Sequence, residues 1–255
     1  MKVLDLFGLE GKTALVTGAA QGLGQAMAIA LAEAGADVAC LDYKPCEETI
    51  AAIGALGCKS VMVLCDLKEA RVSELENTLA KVYEAFGRLD ILVNNAGITR
   101  PNSAVDIREL DFDEELEINQ KKLFFLTQIV GRQMIARGSG KIINVASTTS
   151  FNAGVRVASY VGTKGAVAGY TRAFAAEWAA LGVNVNAIAP GFMKTANTTN
   201  LLEVPEVYQE TLRNIPAKRW GIPADLRGTV VFLASAASDY LHGVIIPVDG
   251  GLLIL

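Results

Sequence analysis

Short runs of consecutive apolar residues alternate along the whole chain with longer stretches whose apolar positions recur every three to four residues. The strand-length runs are Thr13 to Val16, Asp37 to Leu41, Ser60 to Leu64, Ile91 to Val93, Lys141 to Val145, Asn184 to Ile188 and Ile245 to Val248. Most are continuously apolar, as strands covered on both faces are. Helical periodicity runs through Gly22 to Ala34, Cys46 to Leu56, Lys68 to Phe86, Phe112 to Arg137 and Ser159 to Leu181. This alternation predicts an α/β fold, a doubly wound, seven-stranded parallel sheet with helices on both faces. No Pro/Gly/Ser-rich linker or internal repeat interrupts it, so residues 1–255 read as one domain. The break in the rhythm is Gly191 to Asn200, rich in glycine and polar residues and followed by Pro205 and Pro216. The segment at about 191–216 is therefore the candidate substrate lid.

Thr17-Gly18-Ala19-Ala20-Gln21-Gly22-Leu23-Gly24 follows the first apolar strand and opens an Ala-rich helix, the context a phosphate-binding turn requires. Without β-carbons the backbone turns sharply and approaches a pyrophosphate, whose charge meets amides at the helix N-terminus. A plain strand-to-helix turn is the alternative. Asp42 follows the second strand, eighteen residues beyond Gly24, close to the spacing at which an acidic side chain accepts hydrogen bonds from an adenosine ribose. A carboxylate there repels a 2′-phosphate, so NAD is favoured over NADP. Lys44 partly offsets that repulsion, and an ordinary solvated turn residue is the other reading of Asp42.

Tyr160 and Lys164 are four residues apart within a helical stretch and so share a face, and Ser147 precedes them. A phenol titrates near pH 10, about two to three pH units above the range of neutral acid/base work, and a close, desolvated ammonium lowers it. The pair is therefore expected to be partly buried. Taken singly, each residue has a plainer part to play: a helix cap for Ser147, a packing ring for Tyr160, a solvated charge for Lys164.

Composition narrows the partners. With 23 basic and 27 acidic residues the net charge is -4, which gives no electrostatic footprint for nucleic acid or an anionic membrane; a small molecule fits better. Cys40, Cys46, Cys58 and Cys65 contain no CxxC pair and His242 lies far from them, so metal-ligand spacing is absent. Cys40 and Cys65 read as small buried hydrophobes, which suits a reducing cytosol. Met1 to Lys12 lacks an apolar leader core, and no run approaches the roughly 20 apolar residues that span a bilayer.

These motifs together resemble the short-chain dehydrogenase/reductase family over essentially the whole chain, with its Rossmann-type fold. The residues that carry the resemblance are the TGxxxGxG turn, Asp66, Asn94-Asn95-Ala96-Gly97, Asn119, Ser147, Tyr160 with Lys164, and Pro190-Gly191 with Thr195. It implies a catalytic set of Asn119, Ser147, Tyr160 and Lys164. It further implies a cofactor set of Gly18, Gln21, Gly22, Leu23, Gly24, Asp42, Tyr43, Asp66, Leu67, Asn94, Ala96, Gly97, Tyr160, Lys164, Pro190, Gly191, Met193 and Thr195. In that scheme Tyr160 exchanges the proton of an alcohol, and Ser147 holds the substrate oxygen. Lys164 lowers the phenol and grips the nicotinamide ribose, and Asn119 fixes a water on a proton path. Asn94 to Gly97 as a strand end and Pro190-Gly191 as a simple turn are the plainer alternatives.

The stretch Gly154 to Tyr160, with Asn184 to Gly191 and Arg219-Trp220-Gly221, is similar to the sugar-acid dehydrogenase subgroup that includes 2-deoxy-D-gluconate 3-dehydrogenases. Gln120 and Thr148-Thr149-Ser150 depart from common family usage and bear on the substrate. Arg156, four residues before Tyr160, is a candidate partner for a substrate carboxylate, with a surface or subunit contact as the alternative. The resemblance implies a cytoplasmic homotetramer, with Phe174, Trp178, Leu181 and Leu252 to Leu255 as its apolar contact surface or, alternatively, as core. A 3-oxoacyl-thioester reductase and a non-catalytic NAD-sensing regulator are the rival functions. Asp42 opposes the first, and the complete catalytic set opposes the second.

Overall fold

In the computed structural model residues 2–199 and 204–254 are described, apart from the side chain of Asn197. The strands are β1 (Thr13–Thr17), β2 (Asp37–Asp42), β3 (Ser60–Leu64), β4 (Ile91–Asn94), β5 (Gly140–Val145), β6 (Val183–Pro190) and β7 (Ile245–Val248). They pair in the order β3-β2-β1-β4-β5-β6-β7, all parallel. The chain starts in the middle, winds outward to β3, then returns to β4 and winds the other way. This reversal between β1 and β4 leaves a crevice at the carboxyl ends of the strands, because the loops on either side of it run in opposite directions.

Helices α1 (Gly22–Glu33), α2 (Glu47–Ala55), α3 (Val72–Phe86), α4 (Glu109–Leu116), α5 (Leu123–Arg137), α6 (Ala158–Trp178), α7 (Pro205–Asn214) and α8 (Arg227–Ala234) accompany the sheet. Met27 and Leu31 of α1 pack with Val230 and Leu233 of α8 on one face of the sheet, while Leu75, Leu79, Leu126, Val130 and Phe174 form the core on the other. Central strands are apolar throughout for that reason. The edge strand β3 departs from the expectation, since Met62 and Leu64 face solvent.

Other differences follow from local chemistry. The expected helix at Lys68 starts only at Val72, where the Glu74 carboxylate accepts from the Arg71 amide at 2.8 Å. Phe112 to Arg137 is not one regular helix: a π-helical turn at Glu117–Lys122 divides it. Helices α7 and α8 escaped the sequence reading. The first lies inside the glycine-rich lid segment and the second is too short for a strong period. The lid expected at about 191–216 includes residues 200–203, which lie outside the described residues, as does Leu255.

Of the two readings of Phe174 and Trp178, core applies, since both are buried within the subunit, 4.5 Å apart between ring centroids. Gly131 of α5 makes room for the indole; a β-carbon there would stand 2.6 Å from it. Leu181 remains exposed.

The first crossover is equally tight. A β-carbon on Gly24 would run into the Gly18 carbonyl oxygen and the Asn95 amide. Gly24→Ala is expected to cost about 1–3 kcal/mol through overpacking and to weaken coenzyme binding. Thermal melting and a coenzyme titration of the purified variant check this; wild-type values for both would refute the close approach.

Candidate active site

At the carboxyl end of β1, Gly18 takes the left-handed conformation, φ 70°, which directs the following residues across the crevice toward helix α1. The turn is pinned from the β4 side. Asn95 donates from Nδ2 to the carbonyls of Thr17 at 2.9 Å and Gly18 at 3.2 Å. Thr17 Oγ1 accepts from the amides of Asn95 and Ala96, both at 3.0 Å. Asp42, at the end of β2, accepts from the Ala20 amide through Oδ2 and the Lys44 amide through Oδ1, each at 3.0 Å. Its carboxylate is thus fixed beside the glycine turn.

The cleft formed in this way is lined by Gly18, Gln21, Gly22, Leu23, Gly24, Asp42, Tyr43, Asp66, Leu67, Ala96, Gly97 and Thr195 of the expected cofactor set. Lys44, expected to offset the Asp42 repulsion, lines it too, as do Cys65, Lys68, Asn95, Ile118 and Ala196, which had not been assigned a cofactor role. Asn94 is placed differently. It is buried, and its Nδ2 donates to Thr127 Oγ1 at 2.8 Å and Asn144 Oδ1 at 2.9 Å, which ties β4 to α5 and β5. The cleft residue is its neighbour Asn95; adjacent asparagines on a strand end point to opposite sides, and sequence alone did not say which faces in. Pro190, Gly191, Met193, Tyr160 and Lys164 of the expected set also stand outside the cleft lining. Residues Phe192 to Lys194 pair with Gly221 instead, where Lys194 donates to the Gly221 carbonyl at 2.8 Å and Gly221 to that of Phe192 at 2.9 Å. Trp220 closes this corner, buried between the rings of Phe192 and Tyr208.

The proposed catalytic residues lie behind Gly97, next to the cleft. A β-carbon on Gly97 would lie 3.2 Å from Asn119 Oδ1, a tight approach, and 3.6 Å from Lys164 Nζ, in ordinary contact, so these groups sit directly against the cleft wall. Asn119 sits in the π-helical turn, where the widened coil aims its amide at the neighbouring loop. It accepts from the Ile98 amide at 2.8 Å and donates to the Ile98 carbonyl at 2.8 Å and to Thr163 Oγ1 at 3.2 Å. Most of the side-chain amide's bonding capacity is taken by protein, which makes it a clamp on the loop. Ser147, just past β5, accepts the Thr149 amide at 3.1 Å through Oγ. That capping bond uses a lone pair and leaves the hydroxyl hydrogen available to donate.

Tyr160 and Lys164 share one face of α6, as their spacing predicts, with Nζ 5.6 Å from the ring centroid. Lys164 is buried, and Nζ donates to the Val145 carbonyl at 2.7 Å rather than to the phenol. Burial pulls the lysine down to about 8. The same burial pushes the Tyr160 phenol up to about 12, a nearby Glu115 carboxylate pushes the same way, and hydrogen bonding with Ser147 offsets part of the rise. This corrects the expected depression of the phenol. In the chain by itself, low dielectric acts on both members, and the lysine gives up its proton before the phenol does. Arg156 lies on the loop before α6, exposed, at φ 63°, with its carbonyl accepting from the Asn102 amide at 2.8 Å. Positive φ on a long side chain marks a strained position of the kind found at binding sites.

A glycine-turn cleft ending at a serine, tyrosine and lysine in mutual proximity is the arrangement of a nicotinamide-dependent oxidoreductase. Residues 18–253 match the family model described as enoyl-(acyl carrier protein) reductase, and the chain belongs to the short-chain dehydrogenase/reductase family. Among curated relatives, it is 47% identical over 250 residues, 98% of each chain, to 2-dehydro-3-deoxy-D-gluconate 5-dehydrogenase of Dickeya dadantii. It is 46% identical over 248 residues, 97% of this chain and 96% of the relative, to the enzyme of the same name from Bacillus subtilis. The structure of gluconate 5-dehydrogenase from Burkholderia cenocepacia in complex with NADP and tartrate superposes with a TM-score of 0.94 at 36% identity, covering 100% of both chains. The protein is therefore an NAD(P)-dependent oxidoreductase.

The buried lysine has a stability consequence. Its folded-state value of about 8 lies below the ordinary 10.5, so between those pH values the unfolded chain holds more protons and stability rises with pH. Lys164→Met should flatten that rise and raise stability at neutral pH by at least about 1 kcal/mol while lowering turnover. Urea unfolding as a function of pH measures it; an unchanged pH slope would contradict the buried charge.

Proposed function

We propose that this chain is a sugar-acid dehydrogenase that interconverts a secondary alcohol and a ketone, with 2-dehydro-3-deoxy-D-gluconate the substrate to test first. The observation that carries the reading is Ser147, Tyr160 and Lys164 grouped together, with Lys164 beside Gly97 of the glycine-turn cleft, in a chain 47% identical to a dehydrogenase of that substrate class across its length. The residues fit a dinucleotide: the Gly18 to Gly24 turn leaves backbone amides bare at the α1 N-terminus, and Gly97 leaves the approach to Lys164 open. When bound, the nicotinamide supplies or accepts the hydride. Tyr160 takes the hydroxyl proton on its phenolic oxygen during oxidation and returns it during reduction. Ser147 donates to the substrate oxygen. Lys164 contributes positive charge to the phenol and binds ribose hydroxyls, and Asn119 holds the 98 loop over both.

NAD is the preferred coenzyme in this reading. Asp42 supports it, because a carboxylate held by two backbone amides has no room to turn away from a 2′-phosphate. The NADP in the Burkholderia structure argues for tolerance, and Lys44, stacked 5.3 Å over the Tyr43 ring centroid, is the residue that would supply it. Arg156 takes the substrate carboxylate. The segment at 191–216 closes over the substrate, hinged where Phe192 to Lys194 pair with Gly221. A cytoplasmic homotetramer completes the proposal; exposed Leu110 and Phe112 on α4 support a covering partner copy.

Initial rates with hexonates, deoxyhexonates, polyols and 3-oxoacyl thioesters, each with NAD and NADP, test the reading. Highest kcat/KM is expected for a 2-keto-3-deoxy hexonate with NAD; preferential turnover of the thioester with NADPH would overturn it. Tyr160→Phe should lower turnover by roughly 10²-fold or more with coenzyme affinity within about twofold, and near-normal turnover would remove Tyr160 from its role. Asp42→Ala should narrow the NAD/NADP ratio of kcat/KM by about tenfold, the effect of about 1.4 kcal/mol.

A further inference from the structure

Glu115 has entered so far only as a carboxylate near the Tyr160 phenol, and no sequence motif drew attention to it. It is fully buried on α4, in a helix otherwise rich in exposed acidic side chains. One carboxylate oxygen, Oε1, accepts from the Arg100 amide; the other, Oε2, is buried without a protein partner. Such a group is costly to keep unless the site uses it.

Its direction follows from how α4, the π-helical turn and α6 lie together. The stretch from α4 to α5 and helix α6 cross on the same face of the sheet between successive parallel strands, β4 to β5 and β5 to β6, so they run in the same sense; α4 packs on α6, with Asn119 meeting Thr163 at 3.2 Å and Gln120 the Tyr170 hydroxyl at 2.7 Å. One turn before Asn119 stands Glu115; three residues before Thr163 stands Tyr160. We propose that Glu115 is a positioning residue for the acid/base step: its buried carboxylate faces the Tyr160 hydroxyl from α4 and holds the phenol in its protonated, proton-donating form at neutral pH.

This rests on Tyr160 as the proton carrier. The charged and titratable groups around the phenol can be accounted for one by one. Lys164, on the same helix, directs Nζ to the Val145 carbonyl. Ser147, from the loop after β5, offsets part of the rise that Glu115 reinforces. Arg100, after β4, turns its guanidinium to Glu114, which Lys68 also binds at 2.8 Å. Arg156, ahead of α6, is exposed. Glu115 is the anion that remains. With the phenol kept protonated, ketone reduction runs at neutral pH, while alcohol oxidation waits for higher pH; the overall equilibrium is unaffected.

The test is the pH dependence of kcat/KM in both directions, with 2-dehydro-3-deoxy-D-gluconate and NAD and with its 5-keto product and NADH. Glu115→Gln keeps an acceptor for the Arg100 amide and removes the charge. It should move the rising limb of oxidation and the falling limb of reduction to lower pH by roughly one unit or more. Glu115→Asp, which keeps the charge, should return both limbs toward wild type, and Asp113→Asn on the exposed side of α4 should leave them in place. Limbs that coincide in Glu115→Gln and wild type, or an equal displacement in Glu115→Asp, would overturn the proposal. An ultraviolet phenolate titration of wild type and Glu115→Gln, each referenced to Tyr160→Phe, reads the same group without turnover. If no sugar acid is turned over by the wild type, the functional reading fails while this titration still decides the role of Glu115.

Discussion

The structure is organised around an ammonium that has been taken out of water. Lys164 lies under the carboxyl end of β5 with the Val145 carbonyl as its hydrogen-bond partner. Its neighbours are shaped by that demand. Gly97 keeps the wall beside Nζ low, where a β-carbon would press on the Asn119 amide oxygen at 3.2 Å. The helix that bears Asn119 widens into a π turn where it passes Thr163 on α6. Burying a cation stabilises nothing by itself. The position makes sense as a binding and proton-transfer device whose cost is offset by the apolar layers on either side of the sheet.

Low dielectric at this point acts on both members of the pair. It raises the phenol and lowers the lysine, so the chain alone holds a protonated tyrosine beside a lysine that titrates easily. A phenol poised in this way needs something added before it becomes a base near neutrality. In the proposed mechanism the positive charge of the oxidised nicotinamide and the ribose hydroxyls that Lys164 would bind supply this, so that coenzyme binding would complete the site. Chemistry is thereby tied to occupancy of the cleft, and the rigid Thr17–Asn95 latch that builds the phosphate turn is as much part of catalysis as Tyr160 itself.

Most of this architecture was legible in the chain because its signals are local and repeated. Seven apolar runs gave the strands within one or two residues at each end, and two of them, Ser60 to Leu64 and Ile245 to Val248, coincide with the strands observed. The glycine turn, Asp42, Ser147, Tyr160 and Lys164 announced themselves through spacing. What stayed hidden depends on contacts distant in sequence. Whether Asn94 or Asn95 faces the cleft depends on strand register, and the burial of Trp178 on the space left by Gly131. Glu115 looked like one more acid in an acidic helix, since only the packing of α4 on α6 distinguishes it from exposed Asp113. The sign of the Tyr160 perturbation was likewise beyond spacing rules, which bring charges together but say nothing about how dry the pocket is.

The central claim is that the coenzyme converts a suppressed phenol into a working base. Carbon NMR of the protein carrying Cζ-labelled tyrosine, with Tyr160 assigned through Tyr160→Phe, follows that single ionisation directly. In the free protein Tyr160 should titrate well above the ordinary 10.0, and saturating NAD should bring it below that value. A titration unmoved by NAD, or moved upward, would contradict the account.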